Sequence, residues 1–266
     1  MVLKVRKMFK FMLLFISALN AQVEIVDSNG LNFKTLTASF YEPRMGLMKY
    51  FDRTSLRVDI GSSLDVLKFK LASYTCTVGA DFFAYALVNN HGFLILRVEA
   101  IDVFFGGNVS FKRADFSARF RVLHRSSHLV DEYDETNIKP FPFTMEFFDL
   151  VFALTVKSGR FYGGLNYIFR HKPRDMEKFY FQLGFEFFKK ISSHSLVLES
   201  PLFFIFSSDF KFPGSQGLNL TSGVKFGRWN SRGIFLYFVY YSGFDIYGQY
   251  FNLKKKFGGF GLSFDF

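Results

Sequence analysis

Apolar and polar residues alternate with a period of two along much of the chain, most regularly from about residue 100 onward. The clearest stretch alternates Phe179, Phe181, Leu183, Phe185 and Phe187 with Lys178, Tyr180, Gln182, Gly184 and Glu186. Because successive side chains of a β-strand point to opposite faces, the pattern predicts strands with one apolar and one polar face. In a soluble sandwich the apolar face would cover a core, whereas in a membrane barrel it would face lipid.

Turn-like clusters separate the alternating stretches. Short reversals are predicted at 112–115, 158–159 and 230–233, and longer polar connections at 88–100, 129–144, 172–176, 209–216 and 243–255. Short and long connections in alternation are typical of the periplasmic turns and external loops of outer-membrane barrels. The predicted fold class is therefore all-β, an antiparallel up-and-down transmembrane barrel of about twelve strands with residues 33–42 as the first. Ten strands is the alternative, because the stretch up to Asp52 alternates poorly.

The last ten residues form one more amphipathic strand. One face carries Phe260, Leu262, Phe264 and Phe266, and the other Gly259, Gly261, Ser263 and Asp265. An edge strand of a soluble protein is the alternative, but an aromatic C-terminus on such a strand resembles the signal by which outer-membrane barrels are recognised. The resemblance implies the barrel-assembly machinery and outer-membrane lipid as partners. A last strand directed to the periplasm would place the long connections outside.

The first residues have the pattern of a secretory signal peptide. A basic start is followed by the apolar run 11–16 and by the small residues of Ser17–Ala21. The run is much shorter than the roughly 18 residues that a spanning helix needs. The expected division is a signal peptide at 1–21 and a barrel at 22–266, located in the bacterial outer membrane.

Composition favours a membrane barrel over a soluble domain. The chain has 41 Phe and 13 Tyr, which a soluble core could hardly hide but lipid can accept. The formal charge is +10, yet the basic residues are scattered between Phe and Gly, so nucleic acid is not an expected partner. Cys76 is alone, which leaves no disulfide framework or CxxC pair. No cofactor or metal is predicted, and the oligomeric state stays open.

The segment around His124 carries the main candidate chemistry. Extending the alternation of Phe116 to Val122 places His124, Ser126 and His128 on the lipid face. Ser126 would serve as nucleophile and His124 as base, with Glu132 or Glu135 of the following loop orienting the imidazole. The triplet is locally similar to outer-membrane phospholipase A and lipid A deacylase, barrels with His-x-Ser on an outward strand face. In those families an Asn follows the Ser, whereas in this chain Ser127 and His128 follow Ser126.

Other interpretations of this segment stay open. Its polar side chains, including Ser127, His128 and Asp131, would also suit the membrane rim or a loop-ordering role. A metal site of His124, His128 and Glu132 is weaker, because Arg125 stands where a zinc-protease motif needs its Glu.

A broader resemblance covers much of the mature chain. Its landmarks are Glu42-Pro43-Arg44, Val58–Gly61, Gly79–Phe83, Asp102 with Gly106-Gly107, and Ser126–Asp131. In order and spacing they resemble a family of predicted bacterial outer-membrane proteins of unknown function. The resemblance implies an exported barrel and supplies no activity.

The expected function is accordingly that of an integral outer-membrane barrel of structural, pore or surface-interaction type. Charged side chains expected inside the barrel would either line a pore or pair and plug it: Arg119, Arg121, Asp149, Lys178, Glu186 and Lys225. Adhesion through loops 129–144 and 243–255 is one form of surface interaction. The alternative is a lipid esterase or deacylase with the His-x-Ser site.

Overall fold

The computed structural model describes residues 24–25, 30–52, 54–92, 95–131, 133, 139–174, 176–193, 200–213 and 217–265. In chain order the strands are β1 (Glu24–Ile25), β2 (Met45–Tyr50), β3 (Leu56–Leu71), β4 (Tyr74–Asn90), β5 (Leu96–Arg113), β6 (Phe116–Leu129), β7 (Phe143–Val156), β8 (Gly159–Lys172), β9 (Phe179–Ser192), β10 (Leu202–Phe212), β11 (Gly217–Gly227), β12 (Gly233–Phe244) and β13 (Lys254–Asp265). A single 3₁₀ turn, Gly248–Tyr250, interrupts the β12–β13 connection. Within these described ranges no helix has the length and apolarity to cross a bilayer.

Strands β2 to β13 form a closed, antiparallel, twelve-stranded barrel among the described residues. Each strand pairs with its neighbours in sequence, and β2 pairs with β13 from Gly259↔Tyr50 to Phe264↔Met45 to close the seam. The two-residue β1 adds to β3 outside this ring of pairings. Closure pairs every strand of this ring with two neighbours, as a sheet in lipid requires, and at the seam the short β2 pairs with Leu56–Asp59 of the longer β3. The predicted fold class and strand number are confirmed.

The connections at the two ends of the barrel follow the predicted alternation of length only in part. The predicted long connections 88–100 and 209–216 span only 91–95 and 213–216, and the nine residues 193–201 join β9 to β10 at the end that has the tightest turns. Two-residue turns join β3 to β4, β5 to β6 and β7 to β8. Their first residues, Ala72, Ala114 and Lys157, have φ near +50°, as a tight hairpin turn requires. The opposite end carries the connections 91–95, 130–142, 173–178, 213–216 and 245–253. We call these the tight-turn end and the long-loop end.

The outer face is apolar and the lumen is charged. Phe82, Phe161 and Phe238 are each more than half exposed. By contrast, Arg57, Arg119, Arg121 and Arg160 are at most 2% exposed, because they point into the lumen. This distribution is the reverse of that in a soluble domain and is typical of a barrel surrounded by lipid.

Residues 33–42 do not form the first strand, so that prediction is wrong. They belong to residues 30–44, which we call the inner segment and which enters the lumen at the tight-turn end and returns to it. Its buried residues are Phe33, Leu36, Ala38, Ser39, Phe40, Glu42 and Pro43. The barrel wall supplies hydrogen-bond partners along it: Thr37 N donates to Glu186 Oε1 at 2.7 Å, and Arg160 Nη2 donates to the Lys34 carbonyl at 2.9 Å. Pro43 has no N–H to give to a ladder, and the chain enters the sheet only after it, at Met45.

Glu42 attaches the inner segment to two buried arginines of β6. Arg119 Nη1 donates to Glu42 Oε2 at 2.8 Å, and Arg121 Nη2 lies 3.2 Å from Glu42 Oε1. Arg121 also pairs with Asp149 of β7 at 2.5 Å. Phe33 lies under the guanidinium groups of Arg119 and Arg160, at 4.6 and 4.7 Å. The lumen charges therefore pair and plug, as one of the two sequence interpretations expected.

Five of the six charged residues predicted to face the lumen are buried there. They are Arg119, Arg121, Asp149, Glu186 and Lys225. Lys178 is the exception, because it lies in the β8–β9 connection at the long-loop end and is exposed. Strand β9 begins at Phe179, one residue after Lys178, so the alternation of the strand does not fix the direction of the Lys178 side chain.

Replacing Glu42 by Ala should lower the free energy of unfolding by about 3 kcal/mol, because Arg119 and Arg121 would lose a buried carboxylate. Urea unfolding of the detergent-solubilised barrel, followed by Trp229 fluorescence, would measure the change. Asp52→Ala, at an exposed acid, is the matched control and should stay within about 0.5 kcal/mol of the parent. Equal stability of the two variants would contradict the anchoring role of Glu42.

Candidate functional site

The β12–β13 connection, residues 245–253, folds into the long-loop end of the barrel. Tyr247 and Gly248–Tyr250 are buried. The Tyr85 hydroxyl donates to the Ile246 carbonyl at 3.1 Å, and the Tyr250 hydroxyl donates to Glu99 at 2.6 Å. Burial raises the pKa of the Tyr247 phenol well above its ordinary value, so this ring stays neutral inside the mouth. The connection therefore behaves as part of the barrel interior.

Asp102, Arg125 and Ser127 hold this connection in place. The Gly248 N–H donates to Asp102 at 3.1 Å, and the Gln249 N–H donates to Ser127 Oγ at 3.1 Å. Arg125 donates from Nε to Asp102 at 2.7 Å, and the Ser127 hydroxyl also donates to Asp102. Ser127, a candidate from the sequence, is thus a buried structural residue that anchors a loop.

A cavity of about 460 Å³ lies between this connection and the inner segment. We call it the vestibule. Its floor is formed by Ala38, Phe40 and Tyr41 of the inner segment, and its wall includes Ile168, Tyr180, Lys211 and Tyr241. Residues of the connections 173–178, 213–216 and 245–253 form the rim, so the cavity lies at the long-loop end. The sequence did not predict it, because its lining comes from distant parts of the chain.

His124, Ser126 and His128 point outward, as the alternation predicted. Arg121, Leu123, Arg125 and Ser127 between and beside them are buried, whereas His128 is exposed and the His124 side chain is 27% exposed. Phe105 of β5 packs beside the imidazole, with 4.7 Å between ring centroids. The outward direction of both members of the His-x-Ser triplet is confirmed.

An acid lies within reach of His124, but it is not one of the predicted acids. His124 Nδ1 lies 3.4 Å from Glu146 Oε1, and the two residues are directly opposite each other on β6 and β7. Arg170 of β8 lies opposite Glu146, with Nε 3.5 Å from Oε2. Glu132 and Glu135 lie outside the described residues. The geometry thus offers Glu146 as the group that orients the imidazole.

The polar residues on this face begin where the apolar band of the barrel ends. The outward row below contains Val122, Phe148 and Tyr167, which pair across β6, β7 and β8. The next row contains His124, Glu146 and Arg170, and the row above contains Ser126, Thr144 and Lys172. Two successive polar rows above an apolar band are the pattern of a membrane–water interface.

The remaining candidates do not join this cluster. His128 lies four residues from His124 along a strand, about 13 Å away at the usual rise, so the two cannot share a metal ion. Asp131 is exposed, and its N–H donates to the Val98 carbonyl at 3.0 Å. Among the residues that the structure describes, no group of three His, Cys, Asp or Glu side chains could hold a metal.

The sequence contains a signal for Glu146. The alternation of β7 puts Phe148, Leu150 and Phe152 on the lipid face, and two residues earlier the same face carries Glu146. A carboxylate on an otherwise apolar face needs a partner. Glu146 lies across the ladder from His124 and not in the loop that follows Ser126, so the order of residues along the chain does not indicate the pairing.

Residues 28–266 match the family described as "Protein of unknown function (DUF1207)". The chain belongs to this family. No curated protein matches it. In the part of the chain that the structure describes, the landmark carboxylates Asp59, Asp81 and Asp102 are buried and have partners, namely Arg57 at 2.6 Å, Asn108 at 3.1 Å and Arg125.

Among solved structures, the DUF1207 chain is similar to outer membrane phospholipase A from Escherichia coli. The TM-score is 0.54 at 11% identity, covering 86% of this chain and 92% of that one. It also matches OmpT of Vibrio cholerae, an outer membrane protein, with a TM-score of 0.36 at 8% identity over 92% of this chain and 98% of that one. At 11% identity, the likeness to the phospholipase shows an outer-membrane β-barrel fold and carries no activity with it.

Gly248 provides a test of how the 245–253 connection packs. A Cβ added there would lie 2.6 Å from the Phe143 ring and 2.7 Å from Ser127 Cβ, so Gly248→Val should push the connection outward at a cost of about 1–3 kcal/mol. Chymotrypsin should then cut faster after Tyr247 and Tyr250, which mass spectrometry of the fragments would show. Gly107→Ala is the control, since its nearest neighbour would be 3.8 Å away. Equal cutting rates in both variants would contradict this packing.

Proposed function

We propose that this protein is exported with cleavage of a signal peptide at residues 1–21 and acts in the outer membrane by binding at the cell surface, not by conducting solutes. The observation that carries the proposal is the inner segment. It folds into the lumen and is attached there through Glu42 to Arg119 and Arg121. The vestibule at the long-loop end supports the binding role, because it opens on the side where external loops are expected.

The pairing of the lumen charges argues against a porin-like role. A porin keeps a water-filled channel whose charged side chains meet passing solutes. Here Arg121 is paired with Asp149, Arg160 with Glu186, and Arg57 with Asp59. We further propose outer-membrane lipid as the surrounding partner and the barrel-assembly machinery as the partner of β13.

In planar lipid bilayers the protein should show no stepwise conductance, because the inner segment occupies the lumen. Glu42→Arg should introduce conductance steps, since a third cation beside Arg119 and Arg121 would drive the segment out. Asp52→Arg changes charge by the same amount at an exposed position and should remain silent. Steady conductance by the unmodified protein would overturn the binding proposal.

Lipid ester hydrolysis is a second candidate, favoured by the pairing of His124 with Glu146. The Ser126 hydroxyl would attack the carbonyl carbon of an acyl ester, and its proton would pass to His124 Nε2, because Nδ1 faces Glu146. The imidazolium would then give that proton to the departing alcohol oxygen. Water would next cleave the acyl–Ser126 ester, with His124 again accepting and returning a proton. Exposed Arg170 supplies a cation for a phosphate at the same level.

Under this second proposal, Ser126→Ala should abolish phospholipid hydrolysis in mixed micelles, and Glu146→Gln should lower it by about 100-fold or more. Release of free fatty acid is the measurement. Ser62→Ala, at an outward serine of β3, is the matched control and should leave the rate unchanged. Hydrolysis by Ser126→Ala at the parent rate would remove the candidate.

A further inference from the structure

We propose that the vestibule binds a small amphipathic monoanion, with an aromatic or apolar body against its wall and its anionic group on Lys211. The inference deepens the proposed surface-binding function and rests on it. It names the chemical class of ligand from the charges and surfaces that line the cavity.

Lys211 is a buried cation that lacks a carboxylate partner among the described residues. Lys211 is 8% exposed. No carboxylate oxygen of the described residues lies within 4.0 Å of Lys211 Nζ. The ammonium group has a long hydrogen bond to Ser39 Oγ, at 3.4 Å, and lies 3.7 Å from the centroid of the Tyr41 ring. Because the close partners of the buried Lys211 ammonium group are an aromatic ring and one hydroxyl group, it can still bind an anion.

The other charged groups of the vestibule are already engaged. Asp209, two residues away on β10, accepts from the Tyr162 hydroxyl at 2.9 Å and from Gln182. Arg125 donates to Asp102, to the Tyr41 hydroxyl and to the Ile246 carbonyl. Lys211 is attracted to Asp209 and Glu42 at longer range. Among the described residues that line the vestibule, it is therefore the cation without a close ion pair.

Two more carboxylates lie at the rim. Asp245 accepts a hydrogen bond from the Tyr247 N–H at 3.0 Å, and Glu177 is exposed on the β8–β9 connection. A ligand with several negative charges would meet repulsion from Asp245, Glu177 and Asp209. One anionic group directed to Lys211, with an uncharged remainder toward the rim, fits this arrangement best.

The wall supplies apolar surface for the rest of the ligand. Tyr180, Tyr241, Ile168, Met145 and Phe251 line the cavity. Its volume, about 460 Å³, falls in the range of about 300–1,000 Å³ that is usual for small-molecule sites. Aromatic rings at such a site favour flat, unsaturated bodies through edge and face contacts.

The test compares two probes that share a body and differ in charge. Naphthalene-2-carboxylate and 2-(hydroxymethyl)naphthalene are titrated by calorimetry into the full-length protein in lipid nanodiscs, with empty nanodiscs as the blank. The carboxylate should bind at least about tenfold more tightly than the alcohol. Lys211→Met should remove this difference, and Lys211→Arg should retain it. Lys112→Met, the same change at an exposed position near the tight-turn end, should leave both affinities unchanged.

Equal affinity of the two probes for the unmodified protein, or no binding of either, would overturn the inference without any variant. An unchanged preference for the carboxylate in a folded Lys211→Met barrel would also overturn it. Bilayer recordings of the same preparation separate this failure from failure of the proposed function. A silent barrel that binds neither probe contradicts the ligand class alone, whereas a conducting barrel contradicts the surface-binding function itself.

Discussion

Guanidinium groups buried in the lumen must be paired with carboxylates, and this requirement organises the interior of the protein. Removing a charge from water is costly unless good partners replace the water. Arg119 and Arg121 obtain one carboxylate from the inner segment and one from β7. Arg125 obtains Asp102, which in turn holds the 245–253 connection through the Gly248 N–H. The inner segment at the tight-turn end and the 245–253 connection at the long-loop end are thus both held by carboxylates that pair with buried arginines.

Strand β6 serves two environments through the alternation of its side chains. Its inward residues, Arg119 to Ser127, bind the plug and the external connection. Its outward residues, His124 and Ser126, lie at the upper boundary of the apolar band. The vestibule and the His124–Glu146 pair are therefore separated by a single sheet wall, and each could be changed without touching the other.

Much of the fold was predictable because lipid imposes a simple rule on a barrel strand: apolar outward, polar inward. That rule located the strands from β5 onward, the loop ends and the direction of His124 and Ser126. It failed for residues 33–42, since a plug has no lipid face and its side chains follow the partners it meets, such as Glu186 for the Thr37 N–H. Glu146 was missed because ladder register joins residues that are far apart in sequence. The vestibule was not predicted either, because its lining residues come from segments that are even farther apart in the sequence.

The position of the inner segment directly before β2 has a consequence for how the molecule is built. Strand β2 pairs with β13, so the seam joins the two ends of the sheet-forming chain, and it can close only after every other strand is available. Because the plug leads directly into the seam strand, docking of β2 on β13 holds the plug at the mouth of the lumen that it fills. Completion of the wall therefore also fixes the position of the plug.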